Sequence, residues 1–172
     1  MATYLEHLRA RDDDALVALL RARPDLASPS PVTLVSLAAR ATGRTGLERA
    51  LSEADATVLA VLEAVVVLTA GTDPAGPPPP APSLATLDRV LGVDHLPADE
   101  GRAARARVRS AVAAAAVRGL LDVDAADGTP AAPPAARDGG GATDAADVLL
   151  HPVPGLADAL GPYPAGLAPG AA

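Results

Sequence analysis

Apolar residues recur along this chain mostly at helical spacing, and short polar or proline-containing stretches divide them into elements. Thr3 and Glu6 have capping-box spacing, in which a hydroxyl and a carboxylate each satisfy an open backbone N–H, so a first helix opens there. The cluster Asp12–Asp14 predicts the start of a second helix carrying Leu16, Leu19 and Leu20 and stopping before Pro24. Acids belong at the positive end of a helix, which explains this cluster better than a metal site does. Ser30 followed by Pro31 predicts an N-cap and first helical residue for a helix through Val32, Leu34, Val35 and Leu37, stopping near Gly43. Thr45 and Glu48 repeat the capping-box spacing for a short helix ending near Leu51.

Residues 52–70 carry the strongest signal. Ser52 is the expected cap, with Glu53 and Asp55 in the first turn, where the helix dipole favours negative charge. Val58, Leu59, Val61, Leu62, Val65, Val66 and Leu68 then cover nearly the whole circumference, the pattern of a central helix buried on most sides. The segment GTDPAGPPPPAP (71–82) cannot continue it, because proline removes a donor and clashes with the preceding turn. It is expected to be a proline-rich linker loop. No arginine flanks it in the manner of an SH3 ligand.

Beyond the linker, Ser83 is expected to cap a short helix with Leu84, Leu87, Val90 and Leu91, closed by Gly92. A loop over Val93–Glu100 leads to the third helix of this part, about five turns from Gly101 to Arg118, ended by Gly119. Leu120–Asp124 and Asp147–His151 are strand candidates, the first alternating in its second half. The low-complexity stretch 125–146 between them offers too little apolar surface to order itself. Gly155–Leu160 ends the pattern with a helical turn. The expected fold is mainly α, with a short-helix N-terminal segment over 1–51 followed by a winged helix-turn-helix over 52–160. Its wing has two strands and a long disordered tip, and residues 161–172 form a tail.

Composition narrows the chemistry. Leu and Val together supply only 40 of 172 residues, Ala supplies 42, and Ile and Phe are absent, so the core must be lean and helical. The chain has no cysteine and no lysine. That excludes disulfides, thiolate zinc sites, a Walker A loop and Schiff-base chemistry. Two tyrosines, Tyr4 and Tyr163, give no platform for stacking single-stranded bases. His7, His95 and His151 lie in separate elements without metal-ligand spacing, so no metal site is expected. The serines lack a nucleophile-elbow frame, and Asp94-His95 has no nucleophile beside it. No catalytic residues and no cofactor are assigned. The N-terminus has no apolar signal region, and the apolar run Ala54–Ala70 is short and interrupted by Glu63. A cytoplasmic, non-enzymatic protein without membrane contact is the expectation.

Charge is unevenly distributed within the total of −7. Residues 1–51 carry +1, residues 52–101 carry −7, residues 102–119 carry +5 and residues 120–172 carry −6. The only concentrated positive field lies on the third helix, in Arg102, Arg105, Arg107, Arg109 and Arg118. At 100° per residue, Ala104, Val108, Ala111, Val112 and Ala115 form its packing face. Arg102, Arg105 and Arg109 lie on one flank, Arg107 and Arg118 on the other. These five are the candidate contacts to duplex DNA, since this helix of a winged helix-turn-helix is the one offered to the major groove. Binding would be weak and salt-sensitive. Two alternatives stay open: the arginines pair with acids of neighbouring elements, or the winged helix docks a protein and touches no nucleic acid.

Three segments resemble a known family. LLRARPDLA (Leu19–Ala27) with the Ser-Pro that follows, RALSEADATVLAVLEA (Arg49–Ala64) and GLADALGPYPAGL (Gly155–Leu167) are similar to the N-terminal region of long actinobacterial helicase-associated proteins. Those proteins carry a domain likened to the N-terminal part of XPB-type DNA helicases. The resemblance implies an accessory role in DNA processing, with a helicase or other DNA-processing protein as partner. It also implies that this chain is a fragment or the N-terminal part of a longer protein. A motor would have to lie on another chain or in a missing C-terminal part, because its phosphate-binding loop is not in this one.

Overall fold

Side chains able to accept from open backbone N–H groups decide where the helices begin. The structure is a computed structural model that describes residues 3–70, 79–125 and 148–161. Helix α1 (Tyr4–Ala10) opens on the expected capping box, with Thr3 and Glu6 bonded reciprocally. Helix α2 (Asp13–Ala22) is capped by Asp12, whose carboxylate accepts from the Ala15 N–H at 2.7 Å. A further turn, α3 (Pro24–Ala27), starts on the proline that ends α2.

Four expected helix starts are corrected. Helix α4 (Leu34–Thr42) is capped by Thr33, not Ser30, because Ser36 offers Thr33 a reciprocal bond that fixes the start. Helix α5 (Arg44–Ser52) begins after Gly43 without a side-chain cap. Thr45 lies inside it as the second helical residue, and Glu48 is engaged by the Arg44 Nε at 2.8 Å. Ser52 belongs to that helix, its hydroxyl donating to the Arg49 carbonyl. Helix α6 (Ala56–Ala70) is capped instead by Asp55, which accepts from the N–H groups of Thr57 and Val58, each at 2.9 Å.

Helix α7 (Leu84–Val90) is capped by Ser83 as expected, and Gly92 closes it with a positive φ of 72°. A 3₁₀ turn, Val93–His95, occupies part of the following loop. Helix α8 (Ala98–Val117) starts three residues before the expected Gly101, because the Pro97 carbonyl already accepts from the Gly101 N–H at 2.7 Å. Strands β1 (Leu121–Ala125) and β2 (Val148–Pro152) pair antiparallel, with Val123 opposite Leu150 and Asp122 opposite His151. Ser83 adds a single bridge to Leu149, and the Leu150 N–H donates to the Pro82 carbonyl at 2.9 Å. Helix α9 (Leu156–Leu160) follows Gly155.

The order α6, bridge, α7, α8, β1, β2 is that of a winged helix. The molecule is mostly helical with a two-stranded antiparallel wing. Helix α6 lies at its centre, with Val58, Val61, Leu62, Ala64, Val65 and Val66 buried. One hydrophobic cluster joins α1–α5 to the winged helix, from Leu8, Leu19 and Leu47 through Leu62 to Val112, Leu120 and Leu150.

The alternation expected in β1 fails in one respect. Asp122 and Asp124 are 7% and 3% exposed, because α1 brings Tyr4 and His7 over the face they occupy. Residues 126–147, 71–78 and 162–172 lie outside the described residues, and with them most of the low-complexity wing tip, the start of the proline-rich linker and the tail. Among the described residues, no helix is long and apolar enough to cross a membrane.

Candidate nucleic-acid interface

Helix α8 buries one side and offers the other. Val108, Ala111, Val112, Ala115 and Ala116 are buried, and Ala104 packs at the margin, so the expected packing face is the one turned to α6. The C-terminal half is held from the N-terminal segment, where the Arg11 Nη2 donates to the Ala116 carbonyl at 2.8 Å. The N-terminal half exposes Arg102, Ala103, Ala106, Arg107 and Ser110. Helical spacing places Ala103, Ala106 and Ser110 in one strip, with Arg102 and Arg109 along one edge and Arg107 along the other. Such a strip lets a helix approach a groove closely while the edge guanidinium groups reach outward on both sides.

The five candidate arginines do not act as one group. Arg102 pairs with Asp99 at 3.2 Å, but both side chains stand in solvent, where such a pair contributes about 0–1 kcal/mol and opens readily. Arg105 is engaged more firmly. Its Nη2 lies 2.8 Å from Asp94 Oδ1 and its Nε 3.7 Å from Asp88 Oδ2. Burial pushes the Asp88 carboxyl above its ordinary value, and Arg109 and Arg105 pull it back. Arg107 is exposed and makes no ion pair among the described residues. Arg109 is half-buried and near enough to Asp88 to act on it through space. Arg118 lies at the far end of α8, with its Nε buried without a partner and its carbonyl accepting from Arg23 Nη1 at 3.4 Å. The strip is therefore edged by Arg102, Arg107 and Arg109, with Asp94, Asp99 and Glu100 exposed at its N-terminal rim.

Elsewhere the fold joins residues that the sequence keeps apart. His7 and His151 stand on either side of Asp124, with His7 Nδ1 3.6 Å from Oδ1 and His151 Nε2 3.2 Å from Oδ2. His7 Nε2 lies 3.9 Å from Asp122 Oδ2. These groups line a cavity of about 230 Å³ with Tyr4 at its edge. Among the described residues no three His, Cys, Asp or Glu side chains are placed to hold a metal ion. His95 is exposed, and its neighbour Asp94 faces Arg105 instead. The meeting of His7 and His151 has no signal in the sequence, since 144 residues separate them.

The chain matches no family model, no curated protein and no solved structure.

Proposed function

We propose that this chain is a non-catalytic accessory module that presents the N-terminal half of α8 to the major groove of duplex DNA. One observation carries the proposal: a small-residue strip, Ala103, Ala106 and Ser110, edged on both sides by arginine, on the helix that a winged helix-turn-helix offers to DNA. The major groove is about 12 Å wide and admits a helix of this kind. Arg102, Arg107 and Arg109 reach phosphates or base edges from the two sides, and arginine's planar fork suits both. The resemblance of Leu19–Ala27, Arg49–Ala64 and Gly155–Leu167 to helicase-associated proteins is in keeping with this reading, in which a DNA-processing motor lies on another chain or elsewhere in a longer polypeptide. With no lysine for a phosphate-binding loop, this chain contributes contact and not hydrolysis.

The rival reading also has an observation behind it. Arg105 is tied to Asp94 and Asp88, and the acids at the N-terminal rim of α8 would repel a phosphate backbone. A winged helix of that character docks a protein. Fluorescence anisotropy with a labelled duplex, repeated across a salt series, separates the two. Three phosphate contacts give a log–log slope of about −3 and weak, micromolar-range affinity near physiological salt. Binding that is absent, or that ignores salt, would favour the protein-docking reading.

A further inference from the structure

Four ionisable side chains meet in line where α1 crosses the wing. Asp122 and Asp124 stand two apart on β1 and so face the same way, toward α1. The sequence of contacts runs from Asp122 to His7 Nε2, from His7 Nδ1 to Asp124, and from Asp124 to His151 Nε2, at 3.9, 3.6 and 3.2 Å. Each imidazole nitrogen in this series addresses a different carboxylate oxygen, so the donors form a chain and do not converge on a point where a metal would sit. Asp122 Oδ1 and Asp124 Oδ1 are sealed from solvent and have no hydrogen-bond partner among the described residues.

With both imidazoles neutral, the chain holds two negative charges inside an interface. Its surroundings compensate them poorly. From α1, Tyr4 brings a buried hydroxyl whose pKa burial pushes up to about 12, and Glu6 adds an exposed carboxylate. Arg11 acts on Asp122 through space, but its guanidinium donates to the Ala116 carbonyl. Arg23 faces Tyr4 from the end of α2, and its guanidinium is bonded to Asp25. From β2, only His151 faces the pair. Among the described residues, protons are the remaining source of neutralisation.

We propose that a proton held on Asp122, at the head of the Asp122–His7–Asp124–His151 chain, latches α1 to the wing, so that the latch loosens as the pH rises through neutrality. Burial, assisted by the neighbouring Asp124 charge and opposed by Arg11, pushes the Asp122 carboxyl up to about 7. Burial holds the His7 imidazole below its ordinary 6.5, against the pull of Asp124. The two act in opposite directions on stability. Asp122 is raised above its unfolded value, so its contribution is complete below 3.8 and is lost as pH rises through about 7. His7 is lowered, so its contribution is present above 6.5 and is lost as pH falls through the lowered value. Above 6.5 the imidazole of the unfolded chain is already neutral, and Asp122 alone sets the slope. Stability at the α1–wing junction therefore falls as pH rises through about 7 and levels off above it.

Amide hydrogen exchange on the full chain, corrected for the intrinsic pH dependence of exchange, tests this. The opening constant of the α1 amides, Leu8 to Ala10, is expected to rise about twofold between about pH 7 and about pH 8 and to level off above, because a carboxyl titrating near 7 in the folded chain has by then lost most of its contribution. Asp122→Asn, which stays neutral at both pH values, is expected to abolish that rise and to protect α1 more than the parent at the higher pH. The proposal is overturned if the parent shows no rise or if Asp122→Asn keeps it. Should Asp122→Asn fail to fold, the imidazole resonances of the parent decide: a His7 that titrates like an unstructured histidine overturns the latch. Zinc chloride alone provides the last arm. Saturable, stoichiometric displacement of the His7 and His151 resonances with a raised Tm would make the cluster a metal site and overturn the proton latch, whereas no change supports it.

Discussion

Arg23 donates to both carboxylate oxygens of Asp25, from Nε at 3.0 Å and from Nη2 at 2.8 Å, across only two residues of chain. The guanidinium is fully buried, and it also donates to the carbonyl of Gly46 on α5 at 2.9 Å and of Arg118 at the end of α8 at 3.4 Å. One side chain thus ties the N-terminal helices to the winged helix. Arg23→Ala leaves Asp25 and two backbone carbonyls without their partner, and the expected loss is about 3–5 kcal/mol. Arg23→Lys recovers little, because an ammonium cannot reproduce the planar fork. Urea unfolding measures both, and a loss below about 1 kcal/mol for Arg23→Ala would show the network to be dispensable.

The same pair predicts an acid limb. The hydrogen bonds from Arg23 hold the Asp25 carboxyl below its ordinary value of 3.8, against the opposing effect of burial. A lowered folded-state value means the contribution is present above 3.8 and is lost as pH falls through the lowered one. Thermal melts of Asp25→Asn should therefore show lower Tm than the parent near neutrality, and a gap that narrows as pH drops below about 4. A gap that stays constant into acid would contradict the assignment.

Much of the fold is legible in the chain because its signals are local. Thr3 with Glu6, Asp12, Ser83 and Gly92 act within one turn of their own position, and their effects are where their spacing puts them. The apolar circumference of residues 58–68 likewise announces a buried helix, and α6 is the centre of the core. Errors arise where two local signals compete. Ser30-Pro31 and Thr33 both propose a helix start, and Ser36 settles the choice by bonding Thr33. Non-local pairings leave no trace at all. Alternation in Leu121–Ala125 is consistent with Asp122 and Asp124 facing water, and only the placement of α1 over that face makes them buried. The candidate interface is half legible for the same reason: the arginines of α8 stand out by composition, but Asp88 and Asp94, which engage Arg105, come from other elements.

Gly119 and Tyr4 offer a test of how α1 is seated. Gly119 has φ +65°, and a Cβ there would lie 2.5 Å from the Tyr4 hydroxyl oxygen and 3.2 Å from Leu19 Cδ1. Gly119→Ala combines a left-handed conformation, costing about 1–2 kcal/mol, with overpacking of about 1–3 kcal/mol. Tyr4→Phe removes a buried hydroxyl that has no hydrogen-bond partner, so by itself it should be neutral or mildly stabilising. In the double variant the contact with the hydroxyl is gone, and Gly119→Ala should cost about 1 kcal/mol less than in the parent background. Additive effects would mean that the hydroxyl is not what limits space at Gly119.

Arg105 and Arg107 lie two residues apart on α8 and should separate binding from stability. Arg105 is held by Asp94 and lies near the buried Asp88, so Arg105→Ala leaves Asp88 without its nearest cation. With that side chain about two-fifths exposed, solvent screening limits the expected loss to about 1 kcal/mol, seen as a lower Tm. Arg107 has no ion pair among the described residues, and alanine is the better helix former, so Arg107→Ala should leave Tm unchanged or slightly raised. On duplex DNA the order reverses. Arg107→Ala is expected to weaken binding severalfold and to reduce the magnitude of the log–log salt slope by about 1, as loss of one phosphate contact requires. Arg105→Ala should move the slope by less, because its charge is already answered by two aspartates. Together, Arg102→Ala, Arg107→Ala and Arg109→Ala should remove measurable binding while the far-ultraviolet circular dichroism stays that of the parent. If Arg105→Ala alone abolishes binding and Arg107→Ala does nothing, the small-residue strip of α8 is not the face that meets the groove.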